Sequence, residues 1–176
     1  MDYPKQHKQI VEELLNGKFI LSKESHFEEL KIEKDFYSKF FQVSFGYELK
    51  FTQEHAYVIS EDTNETLSRD ISIFFAIFCY ELDKRGKNFL DELQYSEFTK
   101  AEVEDIFSNS SYIDLIESNK QLADKEKREN LINSMIRRNI IGKINDDKFY
   151  FTSAYKVFLE FAEELATIKT SNIETE

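Results

Sequence analysis

DKEKRENLINSMIRRNIIGKINDDKFYF, residues 124–151, is the stretch whose reading decides the fold. Its first half places Leu131, Ile132, Met135 and Ile136 on one helical face with charged residues on the others, which predicts an amphipathic helix over Asp124–Asn139. Its second half switches period: Ile140–Ile144 and Lys148–Phe151 are short β-prone runs joined by the polar turn Asn145-Asp146-Asp147, a hairpin pattern. Thr152 or Ser153 can then cap a closing helix whose buried line is Ala154, Phe158, Phe161 and Leu165. From Thr167 to Glu176 the chain is polar and expected to fray.

Upstream of this stretch, Ile71, Phe74, Phe75, Phe78 and Leu82 recur at helical spacing behind Ser68 as a cap, and the pattern stops near Arg85-Gly86. Thr99-Lys100-Ala101-Glu102 reads as a capping box opening a helix through Val103, Ile106 and Phe107, which Asn109-Ser110-Ser111 interrupts. Helices followed by a two-stranded hairpin and a last helix is the order of a winged helix. The first half is a looser version of the same plan. Ile10, Val11, Leu14 and Leu15 form a helical stripe ending at Asn16-Gly17, and Phe19-Ile20-Leu21 reads as a strand. Ser25–Lys31 is a short helix. Asp35 can cap a helix through Phe36, Phe40, Phe41, Val43, Tyr47 and Leu49, whose apolar residues cover more than one face and so call for enclosure from several sides. Tyr57-Val58-Ile59 is a wing-like strand before the polar linker Ser60–Glu65. The expected fold is mainly α with small β-hairpins (α+β). It is divided into an N-terminal winged helix over 1–64, a C-terminal winged helix over 65–166 and a flexible tail over 167–176. Because no exact repeat links the halves, one irregular α+β domain stands as the alternative.

Composition narrows the function classes. The chain has 176 residues, 23 Lys+Arg against 34 Asp+Glu and a net charge of −11, while 41% of it is hydrophobic and 15% aromatic, too much for an acidic disordered chain. Four Gly and one Pro supply few tight turns, which argues against a many-stranded sandwich or barrel. A single Cys79 excludes an intramolecular disulfide. Asp2-Tyr3-Pro4-Lys5 stands where a signal peptide would place apolar residues, and the most apolar run, Ile71–Leu82, is shorter than the roughly 20 residues of a membrane span. A cytoplasmic protein without a membrane partner is expected.

No motif for catalysis emerges. His7, His26 and His55 lack a second His or Cys at i+3 or i+4, so no metal site is expected. The scattered glycines form no phosphate-cradling loop, and no cofactor is expected. Cys79 lies among Phe75, Phe78 and Leu82, the setting of a packing thiol, and the carboxylate pairs Glu28-Glu29, Asp146-Asp147 and Glu163-Glu164 fall on solvated faces or turns. Charge distribution is more informative. Residues 120–148 carry eight bases against five acids, whereas residues 91–117 carry eight acids against Lys100 alone. The third helix and wing of a winged helix commonly touch a duplex backbone, although Arg137 and Arg138 also fall at a helix C-terminus, where the dipole favours cations in any protein. Among 17 Phe and 9 Tyr, those at Tyr37, Phe41, Phe45 and Tyr47 spread around one helix and are candidates for a partner interface or for packing between lobes.

With this layout in place, the chain resembles the MukE/MksE family, the tandem winged-helix subunits that bind the kleisin of bacterial SMC condensin complexes. The residues that carry the resemblance are Leu14-Leu15-Asn16-Gly17-Lys18-Phe19-Ile20, the aromatic segment from Phe36 to Leu49, the strand Ala56-Tyr57-Val58-Ile59, and the helix, hairpin and helix from Asn130 to Leu165. The likeness spans residues 10–165, and the chain's length is closer to the compact MksE type, or to the related subunit of plasmid-restricting SMC systems, than to MukE. The resemblance implies a non-enzymatic homodimer that engages kleisin chains, meets the SMC ATPase indirectly, and helps hold double-stranded DNA at the nucleoid. On this implication Lys125, Lys127, Arg128, Arg137, Arg138, Lys143 and Lys148 form a candidate phosphate-contacting set, able to neutralise backbone charge without reading bases. The competing reading is a free-standing winged-helix transcription regulator. It would need base-reading side chains on the exposed half of its recognition helix, where this chain has Asp124, Glu126 and Glu129 interleaved. An enzyme is a third reading, and a buried polar pocket with a strongly shifted acid or histidine would revive it.

Overall fold

The computed structural model describes residues 3–60 and 66–162. The chain divides into two compact units, one of residues 1–64 with Arg137–Asn139, the other of 65–136 and 140–176. Both are mixed α+β, and each contains a three-stranded antiparallel sheet.

In the first unit, helix α1 (His7–Leu15) buries Ile10 and Leu14 and ends at Asn16, after which Gly17 adopts a left-handed φ of 70°. Strand β1 (Ile20–Leu21), helix α2 (Ser25–Ile32), helix α3 (Lys34–Phe45), strand β2 (Tyr47–Phe51) and strand β3 (His55–Ser60) follow. The sheet runs β1-β3-β2, with Ile20 opposite Ala56 and Leu49 opposite Val58. Helices and sheet enclose one core of Ile10, Leu14, Ile20, Phe27, Leu30, Tyr37, Phe41, Leu49 and Ala56. Each of its Ile, Leu and Phe side chains contributes about 1.5–3 kcal/mol by leaving water. The start of α1 is tied down by Glu29, whose Oε1 accepts the Gln6 N–H at 2.8 Å.

Three expectations change here. Tyr47 and Leu49 belong to β2, because Gly46 takes φ 70° and closes α3 after Phe45. The residue capping α3 is Glu33, without a side-chain cap, and Asp35 lies in the first turn. Nor is α3 enclosed on all sides: only Tyr37 and Phe41 are buried, while Val43 and Phe45 are exposed.

The second unit begins with α4 (Thr66–Lys84), which is already helical two residues before the expected cap Ser68. It continues through α5 (Phe89–Tyr95), β4 (Phe98–Thr99), α6 (Lys100–Ser108), α7 (Ile113–Ser118), α8 (Lys125–Arg137), β5 (Ile141–Lys143) and β6 (Lys148–Phe151). Residues 155–162 are helical again. Phe74, Phe75 and Phe78 of α4 form the centre of the core. Phe74 stacks on Phe107 at 4.9 Å between centroids, Phe75 meets Phe151 at 5.1 Å, and Phe78 meets Phe98 at 5.2 Å. The expected capping box forms completely: Thr99 Oγ1 accepts the Glu102 N–H at 3.1 Å, and Glu102 Oε2 accepts the Thr99 N–H at 2.7 Å. The hairpin turn is held by Asn145 Oδ1, which accepts the N–H groups of Asp147 and Lys148. Strand β4 was not expected from the sequence; it pairs with β6 and completes the order β4-β6-β5. Of the expected buried line, Ala154 is buried in the turn before the closing helix and Phe158 within it, Phe161 is exposed rather than enclosed, and Leu165 lies outside the described residues, as do most of the expected linker and the tail.

Two polar groups buried in this unit hold its irregular segments. Glu81 of α4 accepts hydrogen bonds from Ser110 Oγ and Ser111 N, both at 2.8 Å, and so fixes the turn between α6 and α7. Asp70 accepts from Asn119 Nδ2 at 2.9 Å and anchors the end of α7.

Candidate partner and phosphate-contacting surfaces

Helix α3 places aromatic residues at positions 36, 37, 40, 41 and 45, which is 3.6-residue spacing with two adjacent columns. One column faces the core and the other meets α1. His7 stands at the junction, its ring 5.7 Å from Tyr37, 5.7 Å from Phe36 and 5.1 Å from Phe40, while Tyr3 stacks on His7 at 4.5 Å. At the other end Phe40 meets Phe45 at 5.8 Å, and Phe45 meets Tyr47 at 6.0 Å. The result is a continuous aromatic ridge along one side of the first unit. Phe36, Phe40 and Tyr47 are half-buried in it, Phe45 is 43% exposed and Tyr3 is 55% exposed.

Of the four expected interface residues, Tyr37 and Phe41 therefore leave the surface: both are fully buried under α1 and the sheet. Phe45 and Tyr47 remain on the ridge. Tyr3, Phe36 and Phe40 join them, although the sequence reading did not single out these three as surface residues. The spacing of Phe36 and Phe40 contained the signal, but one sequence does not say which of two aromatic columns another helix covers.

The cationic set divides in the same way. Arg128 is 7% exposed, and its guanidinium is used inside the fold. Nε donates to Glu104 Oε2 at 3.0 Å, Nη2 donates to Glu104 Oε1, and Nη1 donates to the Leu122 carbonyl at 2.6 Å. This fork, with Ser108 also donating, holds the Glu104 carboxyl below the usual carboxylate range despite its partial burial. Arg128 is thus a structural clamp joining α8 to α6, and this removes it from the phosphate-contacting set. Lys127 pairs with Asp124 at 3.0 Å, Lys125 with Glu129 at 4.0 Å, and Lys143 with Asp146 at 2.6 Å, all on exposed ground where the pairs open at little cost. Arg137 and Lys148 are exposed, and Arg138 is half-buried with its guanidinium close over Gly17 in the first unit.

Elsewhere, burial pushes the Cys79 thiol up to about 12, which suits packing and not nucleophilic chemistry. Among the described residues Glu13, Glu24 and His26 bring carboxylate and imidazole atoms close together. The Lys18 ammonium lies 3.0 Å from Glu13 and 3.3 Å from Glu24, so these carboxylates already hold a cation of the chain's own. No helix among the described residues is long and apolar enough to cross a membrane.

No curated protein matches the chain. A family model does, that of the condensin complex protein MksE, and it covers residues 5–163, which include both units' sheets, the aromatic ridge apart from Tyr3, and the cationic helix and hairpin. The chain belongs to the MksE family of condensin complex proteins.

Proposed function

We propose that this condensin subunit is a non-enzymatic, cytoplasmic and nucleoid-associated adaptor that binds the kleisin of its complex, forms a homodimer, and contributes weak backbone contacts to DNA held by the assembly. Both units follow one wiring order, one or two helices, a strand, further helices, then two strands, with the first strand pairing to the third. That order supports reading them as tandem winged helices. The observation that carries the proposal is the aromatic ridge on the first unit. Large rings at Tyr3, Phe36, Phe40, Phe45 and Tyr47 stay partly in water on a rigid helix and strand, the composition that protein interfaces favour and that solvent alone does not.

The decisive experiment is co-purification of the chain with the kleisin and SMC proteins of its own complex, with light scattering on the isolated chain to measure its mass. Phe45→Glu places a charge at the exposed end of the ridge and is expected either to shift the chain from dimer to monomer mass or to reduce kleisin retention by about tenfold. Full retention of both by a folded Phe45→Glu variant would remove the ridge from the interface. The regulator reading is less well supported, since Arg128 is buried and the exposed acids Asp124 and Glu126 flank Lys125 at the start of α8, where base edges would be read.

A further inference from the structure

Strand β2 is the outer strand of the first unit's sheet: the order is β1-β3-β2, and among the described residues no strand lies on its other side. Its register shows which backbone groups face that open edge. Thr52 donates its N–H to the His55 carbonyl at 2.9 Å, so these two form a hydrogen-bonded pair at the end of the hairpin. Such pairs alternate with non-bonded ones along an antiparallel ladder. Lys50 opposite Tyr57 and Glu48 opposite Ile59 are therefore bonded to β3, and the N–H and C=O groups of Tyr47, Leu49 and Phe51 point away from it. The far side of β3 agrees in phase: Ser22 donates its N–H to the Glu54 carbonyl at 2.8 Å, and Ala56, two positions on, lies opposite Ile20 of β1.

Side chains alternate with the same period. Leu49 is buried in the core with Tyr47 and Phe51 half-buried against it, while Glu48 and Lys50 lie on the opposite face and pair with each other. Free edges in natural sheets are blunted by charge, proline or a bulge. Here the one lysine is offset by Glu48, and β2 has neither proline nor a bulge against β3.

The sequence Tyr47-Glu48-Leu49-Lys50-Phe51 is self-complementary about its centre. Laid antiparallel to a second copy with Leu49 opposite Leu49, it sets Glu48 opposite Lys50 and Tyr47 opposite Phe51, both favourable cross-strand pairs. The same register makes Tyr47, Leu49 and Phe51, whose backbone groups face outward, the bonded positions of the new ladder. A slip of one residue loses this phase. A slip of two keeps it but sets Glu48 against Glu48 or Lys50 against Lys50. Charge and hydrogen-bond phase thus select one register, and the occupant that fits it is this strand itself.

We propose that β2 pairs antiparallel with β2 of a second copy of this chain, joining the two N-terminal sheets across a two-fold axis. The proposal rests on reading the chain as a homodimer and assigns the surface that makes it.

The test uses the full chain, with dimer affinity from sedimentation equilibrium and kleisin retention from co-purification. Glu48→Lys and Lys50→Glu each set like charges opposite one another on both sides of the axis, and each is expected to weaken the dimer about tenfold. An equimolar mixture of the two variants restores opposite charges across the axis although not within either strand, and is expected to recover wild-type affinity as a heterodimer. Asp114→Lys, reversing an exposed acid on α7, is expected to leave affinity within about twofold. Circular dichroism verifies that each variant is folded. A wild-type dimer that neither single variant weakens overturns the proposal and leaves the homodimer reading to another surface. Weakening that the mixture does not relieve also overturns it. Loss of the kleisin from the single variants at unchanged dimer affinity overturns it in favour of a kleisin strand on this edge. A wild-type chain that stays monomeric at every concentration overturns both the proposal and the homodimer reading.

Discussion

At the residue scale, two buried polar groups behave in opposite ways. The Tyr37 hydroxyl is sealed in the first core without a hydrogen-bond partner among the described residues, and burial, with Glu29 and Glu33 nearby, pushes its phenol well above the ordinary value. An unsatisfied buried hydroxyl costs about 1–3 kcal/mol. Tyr37→Phe is therefore expected to stabilise the protein by about 1 kcal/mol in thermal or urea denaturation, and a loss of stability would show that the hydroxyl is satisfied. Glu81 is the satisfied case. Burial alone would raise its carboxyl, but hydrogen bonds from Ser111 and Ser110, with Lys84 close by, hold it below its ordinary 4.5. A carboxyl lowered by folding contributes stability that is complete above the unfolded value and fades as pH falls through the folded one. Glu81→Gln is expected to cost about 2 kcal/mol at neutral pH, and its gap to wild type should narrow below about pH 5 as Glu81 itself takes up a proton. A gap constant from pH 7 to 4 would contradict this assignment. Arg128 teaches a related lesson about legibility. In the sequence it is one of eight cations in a basic stretch, and nothing local marks it as different, because Glu104, the partner that buries it, lies 24 positions away.

At the element scale, legibility followed how local the determining physics is. Helix α4, the capping box at Thr99 and the hairpin after α8 are set by residues within a few positions of one another, and they could be read. Strand β4 is two residues long and exists only because β6 pairs with it, so no window of sequence announces it. Helix α3 is shorter than its aromatic pattern for a different reason: the spacing runs on past Gly46, and only that residue's left-handed φ separates helix from strand. The second hairpin contains a further constraint of this kind. Gly142 in β5 lies opposite Tyr150 in β6, and a Cβ added at Gly142 would come within 2.2 Å of the tyrosine ring. The ring covers the glycine, a packing that pins strand register. Gly142→Ala must push the ring aside and is expected to cost about 1–3 kcal/mol, which the denaturation midpoint would report. A neutral effect would mean that the ring swings away freely.

At the scale of the whole molecule, a chain of net charge −11 can hold DNA only where local cations outweigh its long-range repulsion. Arg128 is withdrawn into the fold, and Lys125, Lys127 and Lys143 must each leave a neighbouring carboxylate before meeting a phosphate, so the net gain on a duplex is small. The isolated protein should bind duplex DNA weakly. Arg137→Glu/Arg138→Glu is expected to lower DNA retention by the assembled complex and to reduce its salt slope by about 2, while subunit association is unchanged. Undiminished retention would remove these arginines from the DNA surface.

The repeated wiring has an evolutionary corollary. In the first unit α1 leads to β1, and α2 to α3, through connections of a few residues. In the second, the matching connections have each been lengthened by a helix, α5 and α7, without altering which strand lies beside which. Helices α5 and α7 occupy the spacers of a strand order that both units share, so family members of differing length are expected to diverge first in those two spacers and last in the sheets.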